Sequence, residues 1–297
     1  MPTAPTLSFV VLVLSLPFTL ISRPSWHAVD ALTKPVSSTG EDGSRVLLLT
    51  AHPDDECMFF APTLLGLFAH GSASVEDRNS PEIFSLCLSV GNADGLGNVR
   101  RDELGQSLDV LGVPPSRRWV EDRSDLQDNF TAQWDHDTIA DVVRPYVLEN
   151  RITTILTFDK YGISGHPNHV SLPHGAARML STFPLHSDIG SPESSATAST
   201  LARPRLFTLV SVPLAHKYTG PWAALLLKAS FTVSDVRTGP AFVAGVNEYA
   251  TALRAMMQHR SQLVWFRWLY VAFSRYMWVN EWVEVVPPSS PESAAPV

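Results

Sequence analysis

One imidazole and three carboxylates occupy the stretch from His52 to Glu56, directly after the apolar run from Val46 to Leu49. Inside a core, each of these groups would need an ionic or hydrogen-bonding partner. A turn followed by an acidic helix N-terminus would use the same residue types, because the helix macrodipole favours carboxylates there. Because so many possible metal ligands lie together at the end of a strand, the stretch is better explained as one half of a metal site with a general base beside it.

A second cluster, His166-Pro167-Asn168-His169, follows the apolar run from Thr153 to Phe158. Histidines three positions apart at the start of a helix can face one point. In an open α/β sheet the loops after parallel strands converge on one crevice, so this pair and the His52 cluster can meet there. A lone histidine would be read as a loop or cap residue, whereas two clusters at strand ends predict a metal site.

The two clusters contain the parts of a zinc-dependent amide hydrolase. A catalytic zinc ion keeps three protein ligands and one water, which it acidifies. Two imidazoles and a carboxylate would bind the metal, and a second carboxylate would act as general base. The remaining imidazole, protonated near the carboxylates, would stabilise the oxyanion and protonate the leaving amine. The residues alone do not decide between Asp54 and Asp55, or between His166 and His169, and iron or cobalt could replace zinc.

Alternating strands and helices place these clusters. Apolar runs predict strands over 45–50, 82–89, 117–120, 153–158 and 206–212, and helical periodicity is found over 55–70, 99–111, 135–149, 168–180 and 247–259. This order predicts an α/β fold with a Rossmann-like, mainly parallel sheet flanked by helices. The first strand is followed by His-Pro-Asp-Asp rather than by glycines, so a nucleotide cofactor is not expected.

The N-terminal run from Leu7 to Ile21 is free of charge. With the residues before it, it approaches the roughly 18–20 residues that a thin bilayer requires. Basic residues appear only after it, beginning at Arg23, and no small-x-small cleavage site follows. The positive-inside rule therefore predicts one transmembrane helix over 1–22, with the body of the protein in the cytosol.

Composition divides the rest of the chain. A Pro-, Ser- and Gly-containing linker is predicted over 23–44, a catalytic domain over 45–285 with a disordered insertion at 181–204, and a tail over 286–297. The content of 45% hydrophobic residues is enough for a sizeable core, and the net charge of −7 argues against nucleic-acid binding. Cys57 and Cys87 are predicted to be buried free thiols. The aromatic run over 263–273 is compatible with a core element or a membrane-interfacial segment.

The two motifs resemble those of the LmbE-like deacetylases, and most closely the N-acetylglucosaminylphosphatidylinositol de-N-acetylases of glycosylphosphatidylinositol (GPI) anchor synthesis. The glycine loop over 91–97 with Arg100, and the segment over 261–276, are also similar to this family. The resemblance covers residues 45–180 and 205–283. It implies a glycolipid substrate, N-acetylglucosaminyl-phosphatidylinositol, and a single-pass protein of the endoplasmic reticulum membrane with its catalytic domain facing the cytosol.

Position by position, the resemblance implies roles for seven residues. The implied zinc ligands are His52, Asp55 and His169, the implied base and oxyanion-stabilising histidine are Asp54 and His166, and the implied substrate contacts are Arg100 and Asp128. Glu56 would support the site from behind. Two other functions fit less well: a deacetylase of a soluble N-acetylglucosamine conjugate, and a non-enzymatic membrane protein with a structural zinc, which usually has four closed, often cysteine, ligands.

Overall fold

The computed structural model describes residues 21–34, 43–72, 80–183, 202–233 and 239–286. Its strands are Ser25–His27 (β1), Arg45–Thr50 (β2), Glu82–Cys87 (β3), Arg118–Val120 (β4), Thr154–Phe158 (β5), Arg205–Leu209 (β6), Ala241–Val243 (β7) and Val279–Val285 (β8). Across these described ranges the strands form one sheet in the order β1-β7-β8-β6-β5-β2-β3-β4.

The predicted α/β fold with a mainly parallel sheet is confirmed. Strand β2 pairs in parallel with β3 and β5, and the parallel pairs β3–β4 and β5–β6 extend the sheet on either side. The apolar residues of β2 and β5 are buried on both faces, as expected for strands covered by helices on both sides. An antiparallel extension was not predicted: β8 pairs with β6 and β7, and β1 pairs with β7.

Helices cover the two faces of the sheet. They are Asp30–Thr33 (α1), Asp55–Met58 (α2), Ala61–Ser72 (α3), Gly97–Leu111 (α4), His136–Glu149 (α5), Gly162–Gly165 (α6), Pro167–Ser181 (α7), Leu214–Lys217 (α8), Pro221–Val233 (α9), Val246–Met256 (α10) and Trp265–Phe273 (α11). The helix predicted over 55–70 is divided into α2 and α3. Pro62 occupies the second position of α3, where its missing N–H costs no intrahelical hydrogen bond.

The N-terminal part of the predicted linker over 23–44 is not a free linker. Strand β1 adds to the sheet through β7, and Leu32 of α1 is completely buried. Residues 1–20 of the predicted transmembrane helix, most of the predicted insertion and most of the tail lie outside the described residues. None of the helices in the described ranges has the length and apolar character needed to cross a membrane.

Candidate active site

The candidate site lies at the carboxyl edge of the parallel strands. The loop after β2 carries His52 and leads to Asp55 at the start of α2, and the loop after β5 leads through α6 to His166 and His169. Because the carboxyl ends of parallel strands share one edge, clusters more than a hundred residues apart in sequence meet there. The side chains of His52, Asp54, Asp55 and His169 are almost completely buried.

Three imidazoles form the centre of the site. Ligand atoms of His52, His166 and His169 all lie within 4.8 Å of one another. Asp55 Oδ1 is 3.2 Å from His169 Nε2, while Asp55 Oδ2 accepts hydrogen bonds from the backbone N–H groups of Ala51 and His52 at 3.0 and 2.9 Å. Asp55 therefore fixes the loop after β2 and reaches one of the three histidines.

Hydrogen bonds to the other ring nitrogen distinguish His166 from His169. His169 Nδ1 lies 3.2 Å from the Gly162 carbonyl and donates to it, which leaves Nε2 facing Asp55. His166 caps α7, and its Nδ1 accepts the backbone N–H of Asn168 at 3.3 Å. In its neutral form the His166 ring therefore carries its proton on Nε2. The Nε2 lone pair of His169 is available to a metal ion, whereas that of His166 is not.

Burial and the neighbouring charges set the protonation of the cluster. Burial lowers the pKa of His52, and burial together with His52 and His169 lowers the pKa of His166 to about 4. The expectation that His166 is protonated is therefore wrong for the metal-free site. Burial disfavours the charged forms of His169 and Asp55, but the attraction between the two groups favours these forms more strongly. The net result is a raised pKa for His169 and a pKa lowered to about 2 for Asp55.

Asp54 adopts a left-handed backbone with φ of +103°, which a residue with a Cβ rarely does. Such a conformation costs about 1–3 kcal/mol and persists only where its surroundings enforce it. Its N–H donates to Glu56 Oε2 at 3.0 Å, and its carbonyl accepts from the N–H of Met58 at 3.0 Å. Asp54 Oδ2 lies 2.7 Å from Arg267 Nη2, within ion-pairing distance but outside hydrogen-bond geometry.

The environment of Asp54 suits a base that works near neutral pH. Burial raises its pKa, Arg267 opposes this rise, and the resulting pKa is about 6. General-base catalysis is most efficient when the pKa of the base is close to the working pH. Arg267 was not predicted, because it lies inside an aromatic run where a single arginine gave no signal of its own.

The two predicted substrate contacts also lie in the site. Asp128 Oδ1 is 3.3 Å from His52 Nε2 and 3.7 Å from His166 Nε2, and Asp128 Oδ2 is 3.7 Å from Arg100 Nη1. Their side chains are only 11% and 12% exposed, and Arg100 also pairs with Asp94 at 2.9 Å. Among the described residues, neither the acceptor Asp128 Oδ1 nor the donor Arg100 Nε has a hydrogen-bond partner, although both atoms are buried. Both side chains therefore present polar atoms that a bound ligand can satisfy.

A buried network behind the site was missed by sequence reasoning. Glu56 Oε1 accepts hydrogen bonds from His259 Nε2 at 2.7 Å and Ser107 Oγ at 2.5 Å. His259 Nδ1 lies 3.0 Å from Gln262 Oε1, and Gln262 Nε2 donates to the Pro53 carbonyl at 2.6 Å. Burial opposes the charge on Glu56, but His259 outweighs it and lowers the pKa of Glu56. Glu56 is thus a supporting residue, as predicted, but its partner is 203 positions away in sequence.

The donor set fits a divalent metal ion. Imidazole nitrogens and carboxylate oxygens are the donors that catalytic zinc sites use. Burial lowers the pKa of His52, which favours the neutral imidazole that metal ligation requires, and the proton shared by His169 and Asp55 is one that a metal ion would displace. Within the described residues Cys57 and Cys87 are buried free thiols, as predicted.

The family model described as GlcNAc-PI de-N-acetylase (PIG-L) matches residues 47–180. The N-acetylglucosaminyl-phosphatidylinositol de-N-acetylase of Bos taurus is 41% identical over 260 residues, covering 86% of this chain and 89% of the relative. A probable enzyme of the same name from Dictyostelium discoideum is 31% identical over 255 residues, covering 81% and 93%. The N,N'-diacetylchitobiose deacetylase of Pyrococcus horikoshii has the same fold, with a TM-score of 0.52 at 17% identity and coverage of 99% and 98%. The chain therefore belongs to the PIG-L family of N-acetylglucosaminyl-phosphatidylinositol de-N-acetylases.

Proposed function

We propose that the protein hydrolyses the N-acetyl group of N-acetylglucosaminyl-phosphatidylinositol, releasing acetate and glucosaminyl-phosphatidylinositol as a step of GPI-anchor synthesis. The observation that carries this proposal is the site itself. Three imidazoles with ligand atoms within 4.8 Å of one another lie beside a carboxylate with a pKa of about 6, in a chain 41% identical to a bovine protein of that name.

We assign zinc to His52, Asp55 and His169. When bound, a divalent ion supplies the positive charge that acidifies a water molecule and polarises the acetamide carbonyl. The tautomers support His169 rather than His166 as a ligand, because His169 directs an Nε2 lone pair inward and His166 directs an N–H. The Gly162 carbonyl supports His169 from behind, and second-sphere partners of this kind fix the ring and raise its basicity.

The protein groups move one proton during the reaction. Asp54 takes a proton from the attacking water as the new C–O bond forms, and its strained backbone holds it beside the metal ligand Asp55. The neutral His166 donates its Nε2–H as a hydrogen bond to the oxyanion. When the C–N bond breaks, the departing amine takes the proton held by Asp54, because the neutral imidazole of His166 has no spare proton to give.

Arg100 and Asp128 bind the substrate in this mechanism. The Arg100 guanidinium lies at the rim, paired on one side with Asp94, and is suited to the phosphate that links inositol to the lipid. Asp128 lies against His52 and His166 and is suited to accept a sugar hydroxyl close to the acetamido group.

We place the protein in the endoplasmic reticulum membrane, held by one helix over 1–22 with the catalytic domain in the cytosol. The sequon Asn129-Phe130-Thr131 tests this orientation. Asn129 is exposed, and its N–H lies 3.2 Å from Asn168 Oδ1, at the rim of the site. In the cytosol Asn129 remains unmodified, so a mass shift on glycosidase treatment would contradict the placement.

The decisive experiment is release of acetate from N-acetylglucosaminyl-phosphatidylinositol by the purified full chain, abolished by chelation and restored by zinc, iron or cobalt. His169→Ala should be inactive. His174→Ala, which changes an exposed histidine five residues further along the same helix, should be fully active. Equal activity on the sugar–inositol headgroup without acyl chains would instead favour a soluble conjugate as the natural substrate. No turnover of either compound would overturn the assignment.

A further inference from the structure

Large hydrophobic side chains are exposed on one part of the molecule. Ten of the 17 exposed large hydrophobic residues in the described ranges lie in two short segments, 214–226 and 264–273. The most exposed aromatic side chains of these segments are Trp265 at 75% and Trp222 at 66%. We call the exposed side of these two segments the aromatic face.

The two segments form one continuous surface. The rings of Tyr218 and Tyr270 meet edge to face with centroids 6.5 Å apart. The N–H of Gly220 donates to the carbonyl of Phe273 at 2.8 Å, which joins the turn between α8 and α9 to the end of α11. Contiguous apolar surface on this scale marks a binding surface rather than scattered exposed residues.

The aromatic face borders the active site. Helix α11 directs Arg267 inward to Asp54 and directs Trp265, Phe266 and Trp268 outward. From the other segment, Lys217 Nζ donates to the carbonyl of Ile163 at 2.6 Å, next to Gly162 of α6, whose carbonyl contacts His169. The site and the face therefore lie on the same side of the molecule.

The charged residues of the two segments indicate what kind of partner would bind the aromatic face. The segments 213–233 and 257–280 contain five Lys and Arg residues and no Asp or Glu, in a chain with a net charge of −7. Two of these five, Arg267 and Arg275, pair with Asp54 and Glu281 from outside the segments, so the remaining positive charge comes from Lys217, Lys228 and Arg260. Exposed Trp, Phe and Leu with basic residues and without carboxylates are typical of helices that lie in the headgroup layer of an anionic membrane.

The position of the first described residues supports a membrane as the surface that covers the aromatic face. The apolar run that begins at Leu7 ends at Ile21, the first described residue. The carbonyl of Arg23 accepts a hydrogen bond from Lys228 of α9, the helix that also carries Trp222 and Leu226. The apolar N-terminal run therefore meets the folded domain at a helix of the aromatic face.

We propose that the aromatic face inserts into the headgroup layer of a phosphatidylinositol-containing bilayer and holds the active site open toward lipid headgroups. This inference rests on the proposed function, since a glycolipid substrate keeps its acyl chains in the bilayer while its sugar reaches the site. A second copy of the chain would cover the same apolar area, and the labelling experiment below distinguishes that contact from lipid.

Site-specific labelling of the full chain tests lipid contact without using activity. Cys57 and Cys87 are buried and burial raises their pKa, so a single introduced cysteine can be labelled selectively. Phe273→Cys and Val283→Cys are matched, because both positions are 54% exposed and Val283 lies outside the face, on β8.

The labelled protein is placed in bilayers of phosphatidylcholine with a minor fraction of phosphatidylinositol. We expect an environment-sensitive fluorophore at position 273 to shift its emission to shorter wavelength and to be quenched by spin-labelled phosphatidylcholine, with neither effect at position 283. The same response at both positions would overturn the proposal. Self-quenching at position 273 that depends on protein density, without quenching by lipid, would assign the face to a contact between copies and also overturn it.

A kinetic comparison separates this inference from the proposed function. Trp265→Ser/Trp268→Ser should raise KM for substrate embedded in the bilayer about tenfold, equivalent to about 1.4 kcal/mol, and leave kcat unchanged. Its kcat/KM for the headgroup without acyl chains should equal that of the wild type. Equal losses on both substrates would show a structural role and overturn the inference. If the wild type hydrolyses neither compound, the proposed function fails and the labelling result alone decides the lipid contact.

Discussion

Replacing His259 by leucine should destabilise the protein strongly, although His259 lies outside the catalytic cluster. Its ring and the Glu56 carboxylate are both fully buried, and Nε2 and Oε1 are 2.7 Å apart. Leucine is close to histidine in volume, so the main loss is electrostatic: Glu56 keeps Ser107 but loses its cationic partner. Removing one member of a buried ion pair costs about 3–5 kcal/mol, because the other charge stays buried without compensation.

Urea denaturation followed by tryptophan fluorescence measures this change as a difference in the free energy of unfolding. For a domain of this size the same loss lowers Tm by roughly 6–20 °C. His174→Leu is the matched control: it removes an exposed imidazole, and its effect should stay within about 0.5 kcal/mol.

The double variant Glu56→Gln/His259→Leu tests the physical reason. Glutamine removes the charge that leucine would leave unpaired. Its amide oxygen can accept the N–H of Asp54, and its amide NH2 can donate to Ser107 Oγ, because a hydroxyl accepts as well as donates. The double variant should therefore be more stable than His259→Leu alone, although it carries one more substitution. Equal or lower stability of the double variant would refute the argument, since the cost would then come from packing rather than from an uncompensated charge.

Three further predictions concern the site and its support. Asp54→Asn should retain stoichiometric metal but lose about a hundredfold or more in turnover, whereas His169→Ala should lose both; near wild-type turnover of Asp54→Asn would exclude it as the base. Gly162→Ala should weaken metal binding, because its Cβ would lie 2.8 Å from that of His169; Gly165→Ala, also at positive φ but with nothing within 4 Å, is the control, and equal metal affinity of the two variants would contradict this. Burial lowers the pKa of His259, but Glu56 raises it by more, so the net shift is upward. The ion pair with Glu56 therefore contributes its full stabilisation below about pH 6.5, the ordinary pKa of histidine. This contribution is lost as the pH rises through the pKa of His259 in the folded protein. The Tm advantage of the wild type over Glu56→Gln/His259→Leu should therefore shrink as the pH rises above about 6.5, and a constant advantage would contradict the assigned ion pair.

The parallel half of the sheet could be predicted because its strands are long apolar runs, buried on both faces. The ends of β2 and β5 located the two histidine clusters, since the topology of a parallel sheet brings such ends together. The antiparallel extension carries weaker signals. Strand β7 has three residues, and β8 contains Asn280, Glu281 and Glu284 among its apolar residues, so neither forms an apolar run.

Protonation and long-range partners could not be read from residue types. The choice between His166 and His169 depends on which ring nitrogen meets a backbone N–H and which meets a carbonyl, and both are neighbours set by the fold. The expectation of a protonated His166 counted nearby carboxylates but not the burial and the two imidazoles that lower its pKa. Similarly, only the packing of α10 against α2 brings His259 to Glu56.

One segment, from His259 to Tyr270, contacts the surroundings of Asp54, the proposed base, from two directions. His259 holds Glu56, whose second oxygen accepts the N–H of Asp54 and fixes the left-handed backbone, and Arg267 sets the charge around the Asp54 carboxylate. The outer side of the same segment forms part of the aromatic face. Inward and outward side chains alternate along α11 with the period of a helix, so the two tasks use different residues. Substitutions on the outer side should therefore change contact with lipid while leaving Asp54 in place, which is why the two kinetic outcomes above can be told apart.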